Sequence, residues 1–316
     1  MKFYLFIFVA LVSFLAGFLT KNYLPSSRIE ESMSLKKHEN YPFLAQRIFL
    51  NDPNDTIINF TRLRNDLKKY TDNSPNFIGI YFEYLPTGTT IAINDKEVLF
   101  AASLTKIPLV MEVIKRIENG KISEDEKLTI TRNNIDKNFG TLWKKDIGAQ
   151  VTVKEAIKYT VVESDNTAFQ MLKERLGNSD LLEIFNYLDI PQQNAGPGRG
   201  ITTKNFSSVL ISLYFSAYLP YEKSNTLLSL MSEESKDNDA DWIRKGVPQN
   251  VKISNKFGIY ESIDQNDRVY SDCGIVYAPK RNYSLCVMVK GAPDQIVAGN
   301  EIGDISKKVY DYVTSQ

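Results

Sequence analysis

The residue pattern predicts a two-lobed α/β (α+β) fold. One lobe is a five-stranded antiparallel sheet with flanking helices; the other is all-helical. Three observations carry this. Helix and strand patterns run in the order helix, two strands, a long helical middle, three strands, helix. Few β-α-β alternations occur, which argues against a parallel sheet. A chain of 316 residues that is 43% apolar suits one large domain or two lobes sharing a site.

Each element has a local cause. Ile57, Phe60, Leu63, Leu67 and Tyr70 recur at helical spacing. Phe77–Tyr84 and Thr89–Asn94 read as a strand pair around Pro86-Thr87-Gly88. A helix is expected from about Ser103 to Glu118, stopped by Asn119-Gly120. Thr152 and Glu155 have the spacing of a capping box for a short helix through Val161. Further helices are expected over Asn166–Leu176, Lys204–Tyr218 and Glu222–Ser232, followed by strands at Asn250–Asn255, Val269–Tyr277 and Tyr283–Lys290. Ile302, Ile305, Val309 and Val313 put one apolar face on a last helix from about Glu301. The expected lobes are residues 56–100 with 249–316 for the sheet, and 101–248 for the helices.

Composition excludes several classes. Lys+Arg and Asp+Glu are both 38, so no basic excess points to nucleic acid. The single histidine, His38, lies in a polar stretch near the N-terminus. A Ser-His-Asp machine would have to recruit it from there, and a zinc site built on two or three histidines is impossible. No cofactor is called for, and the chain is expected to act as a monomer. The two cysteines, Cys273 and Cys286, fall roughly opposite each other if the last two strands form a hairpin near Pro279. They read as two small buried hydrophobes or as a cross-strand disulfide.

Residues Phe3 to Leu19 are apolar apart from Ser13, with Lys2 before and Lys21 after. The run is at the short end for a spanning helix and lacks a well-placed A-x-A cleavage site. Residues 1–21 are therefore expected to be a signal-anchor rather than a cleaved signal peptide, and 22–55 a polar tether. Residues 56–316 would form the folded domain. The expected location is the cell membrane, single-pass, with the domain on the extracytoplasmic side.

Three motifs stand in order: Ser103-Leu104-Thr105-Lys106, Ser164-Asp165-Asn166 and Lys256-Phe257-Gly258. Taken singly, each has an ordinary reading as a helix cap or a surface lysine. Their order and spacing make the set specific. On these motifs, over roughly Asn76 to the C-terminus, the chain resembles the class A β-lactamases and related penicillin-binding serine peptidases, whose catalytic trio is S-x-x-K, S-D-N and K-T-G.

The resemblance implies a β-lactamase-like serine hydrolase that forms an acyl-enzyme with β-lactams or D-alanyl peptides of peptidoglycan. Ser103 would be the nucleophile, near the positive end of a helix. Lys106, one turn on, would take its proton. Ser164 would relay a proton to the leaving nitrogen, and Asn166 would bind the substrate amide. Asp165 would hold the loop. Lys256 would attract the substrate carboxylate, Gly258 would let a substrate backbone approach the strand, and the N–H groups of Ser103 and Ile259 would form the oxyanion hole.

Two departures bear on activity. Phe257 replaces the threonine of K-T-G, whose hydroxyl helps hold the substrate carboxylate; Arg268 is a candidate replacement, though it also reads as a solvated surface arginine. The loop from Asp189 to Gly200 carries no glutamate to activate a deacylating water. Glu163 and Glu261 are the remaining candidates. These departures keep a cell-wall D-Ala-D-Ala peptidase and a catalytically weak binding module as alternative readings.

Overall fold

The longest strands carry the architecture. β1 (Phe77–Tyr84), β2 (Thr89–Ile93), β8 (Ile253–Tyr260), β9 (Val269–Val276) and β10 (Tyr283–Lys290) form one antiparallel sheet in the order β2-β1-β10-β9-β8. The computed structural model describes residues 58–177, 183–191, 194–195, 198–233 and 240–315. The apolar run at Phe3–Leu19, the tether, and residues 192–193 and 196–197 of the loop from Asp189 to Gly200 lie outside the described residues.

Helices α1 (Thr61–Asn73) and α8 (Gln295–Thr314) cover one face of the sheet. Leu63 and Leu67 of α1 and Ile302, Ile305, Val309 and Val313 of α8 share one buried cluster with Ile78, Ile80, Phe82, Leu285 and Val287. That burial, at about 25 cal/mol per Å² of apolar surface, is the main force holding the two chain ends together. α8 begins earlier than its apolar face suggests because Asp294 caps it, accepting from the N–H groups of Ile296 and Val297 at 2.9 Å each.

The remaining elements are β3 (Leu99–Phe100), α2 (Lys106–Glu118), β4 (Lys127–Thr129), β5 (Gln150–Thr152), α3 (Val153–Val162), α4 (Asn166–Arg175), α5 (Glu183–Tyr187), β6 (Asn194–Ala195), β7 (Gly198–Ile201), α6 (Thr203–Tyr214) and α7 (Tyr221–Met231). α6 packs against β1, β9 and β10, while α2 to α5 pack on one another. The Thr152–Glu155 capping box is present at the start of α3. The two-residue and three-residue strands are too short to show a period, so the sequence does not reveal them.

One strand lies further along than its pattern suggests. β8 was expected at 250–255 but runs over 253–260. A turn in which Val251 N–H donates to Pro248 O occupies the expected start. Gly258 does not end the strand, because it pairs directly with Ser271.

Cys273 and Cys286 are direct partners in the β9–β10 ladder and are joined by a disulfide. Both are fully buried. The cross-strand reading is the one the structure adopts.

Candidate active site

β8 is one of the two edge strands of the sheet, and it packs on the turn that carries Ser103. This turn is a 3₁₀ segment, Ala102–Thr105, which runs straight into α2. Ala102 takes φ +45°, a left-handed conformation that costs a non-glycine residue energy. Leu104 N–H donates to Ala101 O at 2.9 Å and closes the turn. Ser103 therefore sits on a tight turn ahead of the helix rather than on the helix itself.

Lys106, the first residue of α2, is almost completely buried. Its Nζ has four oxygen neighbours: Ser103 Oγ at 2.9 Å, Ser164 O at 2.5 Å, Ser164 Oγ at 3.0 Å and Asn166 Oδ1 at 2.6 Å. The two shortest contacts go to a carbonyl and a side-chain amide oxygen, which can only accept. A neutral amine has two protons for these and a lone pair left for a hydroxyl. Burial pulls the Lys106 pKa down to about 7, against the opposing pull of Asp165 and Asp136. The amine is thus poised to take a proton from Ser103 near neutral pH.

A pH dependence follows. With Lys106 as the base for Ser103, the unprotonated amine would be the active form, and acylation should rise about tenfold per pH unit below 7 and level off above it. Single-turnover rates measured between pH 5 and 9 check this; a flat profile contradicts it. The linkage to stability runs the same way. The folded state holds the lysine proton less tightly than the unfolded chain, so this group's contribution to stability rises from pH 7 towards 10.5.

Ser164 is fully buried and has φ +52°. Its strained backbone turns the chain from α3 into α4. Asp165 holds that turn: Oδ1 accepts from Ala168 N–H and Oδ2 from Leu142 N–H, both at 2.7 Å. Gly140 makes this possible. It has φ +85°, and a Cβ there would lie 2.1 Å from Asp165 Oδ2. Gly140→Ala should therefore cost about 2 kcal/mol or more of stability. It should also lower activity, through displacement of Ser164 and Asn166. Thermal melts and acylation rates on this variant check both; an unchanged melting temperature contradicts the assignment.

From the opposite side, Lys256 Nζ donates to Ser164 Oγ at 2.9 Å and to Phe257 O at 3.3 Å. It is fully buried, and burial, then the nearby Lys106, hold its pKa well below the ordinary lysine range, with Asp272 opposing. Ser164 Oγ thus lies between two amines and can accept from one while donating to the other.

The structure brings Ser103, Lys106, Ser164, Asn166 and Lys256 into one hydrogen-bonded group, with Ile259 on the same cleft wall. A Cβ on Gly258 would meet Ala101 O at 3.0 Å and Ala102 Cβ and Leu104 Cγ at 3.4 Å. The glycine therefore lets β8 close on the Ser103 turn, which is a nearer reason for it than the approach of a substrate. Arg268 does not line the cleft. Its Nε donates to Ser262 O at 2.9 Å and its guanidinium also reaches Pro293 O, so it ties two loops together.

The cleft beside Ser103 has a volume of about 850 Å³. Its walls include Asp136, Phe139, Gln170, Tyr260 and Glu261. Glu261 was a candidate from sequence, and its carboxyl accepts from Tyr270 OH at 3.3 Å. Glu163, the other candidate, does not line the cleft; it accepts from Thr141 Oγ1. Asp136, Phe139 and Gln170 were not found from sequence. They belong to no short motif, and only packing of the loop before Gly140 and of α4 brings them to the wall.

A tight turn carrying Ser103, two buried lysines and a shared serine thus meet between a sheet edge and the helices. Residues 62–313 match the model of the β-lactamase enzyme family. The chain belongs to that family. It is 25% identical over 204 residues to β-lactamase 3 of Bacillus cereus, covering 60% of this chain and 63% of that one. It thus spans less than two thirds of that relative's length. A β-lactamase of Bacillus licheniformis is 25% identical over 236 residues, covering 70% of this chain and 73% of that one. Among solved structures, PBP-A superposes with a TM-score of 0.72 at 22% identity, covering 81% of this chain and 97% of that one. A mutant of PBP-A has been solved as an acyl-enzyme complex with penicillin G.

Proposed function

We propose that this chain is a β-lactamase-like serine hydrolase that opens β-lactams, or cleaves D-alanyl peptides of peptidoglycan, by acyl transfer to Ser103. The observation that carries this reading is the Lys106 amine, buried, pulled to a pKa of about 7 and 2.9 Å from Ser103 Oγ.

Lys106 takes the Ser103 proton as Oγ attacks the carbonyl carbon, and the C–O bond forms. The N–H groups of Ser103 and Ile259 receive the developing oxyanion. Phe257 O accepts from the Lys256 side chain, so that peptide faces away from β9, and Ile259 two residues on faces the same way. The C–N bond then breaks, and the proton passes from Lys106 through Ser164 Oγ to the leaving nitrogen. Lys256 sets the orientation of the Ser164 hydroxyl. Water finally cleaves the ester, releasing the acid and returning the proton to Ser103. Hydrolysis of a chromogenic cephalosporin by the full chain, absent in Ser103→Ala, tests this; equal rates for the two overturn it.

The same reading places the domain outside the cytoplasm, tethered by the apolar run Phe3–Leu19. Among the described residues no helix is long and apolar enough to cross a membrane, and the run lies outside them. The mature protein should keep Met1–Leu19 and sediment with membranes, and the domain should stay soluble once residues 1–40 are removed. A secreted form that begins after residue 20 contradicts the anchor.

A further inference from the structure

The two ends of the Ser103 cleft differ, and β8 runs from one to the other. Side chains alternate between the faces of a strand, so Lys256, Gly258 and Tyr260 point the same way. Lys256 reaches Ser164, Gly258 lies against Ala101 and Ala102, and Tyr260 stacks on Phe100. The Ser103 turn thus faces the middle of this row. At about 3.4 Å per residue, Lys256 and Tyr260 stand about 7 Å to either side of Gly258 along the strand. In the chemistry proposed above, the leaving nitrogen takes its proton from Ser164, beside Lys256. The acyl side chain therefore extends the opposite way, towards Tyr260.

That end is aromatic. The rings of Phe100 and Tyr260 are stacked, with centroids 4.1 Å apart and planes 23° from parallel. Both line the cleft and both are half-buried, so each keeps surface open to a substrate. Backbone pairing fixes the base of each side chain. Phe100 pairs with Gly200 in the β3–β7 ladder, and Tyr260 with Val269 in the β8–β9 ladder. Phe100 also stands three residues before Ser103, so the stack keeps a set place relative to that serine. Because the two rings are already held, a third ring packed on them orders little more of the protein. It gains apolar burial and the favourable geometry of aromatic contact.

We propose that the Phe100–Tyr260 stack forms the acyl-side subsite of this cleft and selects acyl donors whose acyl chain carries a flat aromatic group. The inference rests on the acyl-transfer reading given above and narrows its substrate class. It leaves the leaving-nitrogen side of the substrate, with any carboxylate there, to the Lys256 end. Phe100 and Tyr260 are specificity determinants; neither moves a proton.

The test compares penicillin G with 6-acetamidopenicillanic acid, which lacks the phenyl ring and is otherwise the same. The second-order rate of Ser103 acylation is read by intact mass on the full chain. Each rate is measured for wild type, Tyr260→Leu, Phe100→Leu and Tyr260→Phe. Intrinsic reactivities cancel when the ratio of the two rates is compared between variants. Wild type should favour penicillin G by about tenfold or more, the scale on which a pocket discriminates a missing apolar group. Tyr260→Leu and Phe100→Leu keep apolar bulk but remove one ring, and should each lower that ratio at least threefold. Tyr260→Phe should keep it. If the stack served only to clamp β8 to β3, its loss would slow both compounds alike. A ratio unchanged in both leucine variants therefore overturns the proposal. Should one of them fold poorly by its melting curve, the other decides. Equal wild-type rates for the two compounds overturn this proposal alone, whereas no adduct from either overturns the acyl-enzyme reading together with it.

Discussion

Lys106→Ala should slow acylation of Ser103 by about 10²–10⁴, the range for loss of a general base. The amine has no stand-in. Lys256 reaches Ser164 but makes no hydrogen bond to Ser103, and no histidine occurs among the described residues. The rate left over should lose its inflection near pH 7, since the group responsible is gone. Stability should move the other way: removing a buried amine that is costly to charge should leave the melting temperature unchanged or higher. Rapid-quench acylation at pH 6 and 8 reads the first effect and calorimetry the second. Acylation within threefold of wild type would show that another group takes the serine proton.

The second large effect concerns release of the acyl group. Hydrolysis needs a base to activate water, and loss of such a base costs about 10²–10⁴. The candidate loop contributes no glutamate. Glu163 accepts from Thr141 Oγ1 and does not line the cleft, and Gln170 on the wall cannot accept a proton at neutral pH. Asp136 and Glu261 line the cleft, with Asp136 Oδ1 accepting from Asn138 N–H at 2.9 Å and Glu261 from Tyr270 OH. Opening of a β-lactam should therefore show a stoichiometric burst followed by a slow steady state. Asp136→Asn and Glu261→Gln should leave that steady state within about threefold of wild type. Fast sustained turnover, lost in one of these variants, would contradict the account and identify the deacylating base.

These two predictions divide along the line between what the sequence shows and what only packing shows. Ser103, Lys106, Ser164, Asn166 and Lys256 are legible because the chemistry fixes residue types at fixed spacings on a helix, a turn and a strand. The five-stranded antiparallel sheet is legible too, since turn residues mark the β1–β2 and β9–β10 hairpins. Pairing of Cys273 with Cys286 follows from one hairpin register. Other features leave no local trace. Gly140 is required only because Asp165 folds back onto it, and Gly258 only because β8 meets the Ser103 turn. Asp136 and Phe139 reach the cleft through a loop whose course is set by contacts with α4, among them the bond from Asp136 N–H to Thr167 Oγ1 at 3.0 Å. Phe257 was visible as a departure from the motif, but the position of its ring, 3.8 Å from Lys256 Nζ, appears only in the packed structure.

The proposed chemistry stands on Ser103 as the nucleophile. The most direct measurement is peptide mapping by mass spectrometry after brief exposure of the full chain to penicillin G or its methyl ester. One adduct of the intact compound is expected, on the peptide containing Ser103, absent in Ser103→Ala while that variant keeps its fold. An adduct on Ser164, or no adduct with either compound on folded protein, would contradict it.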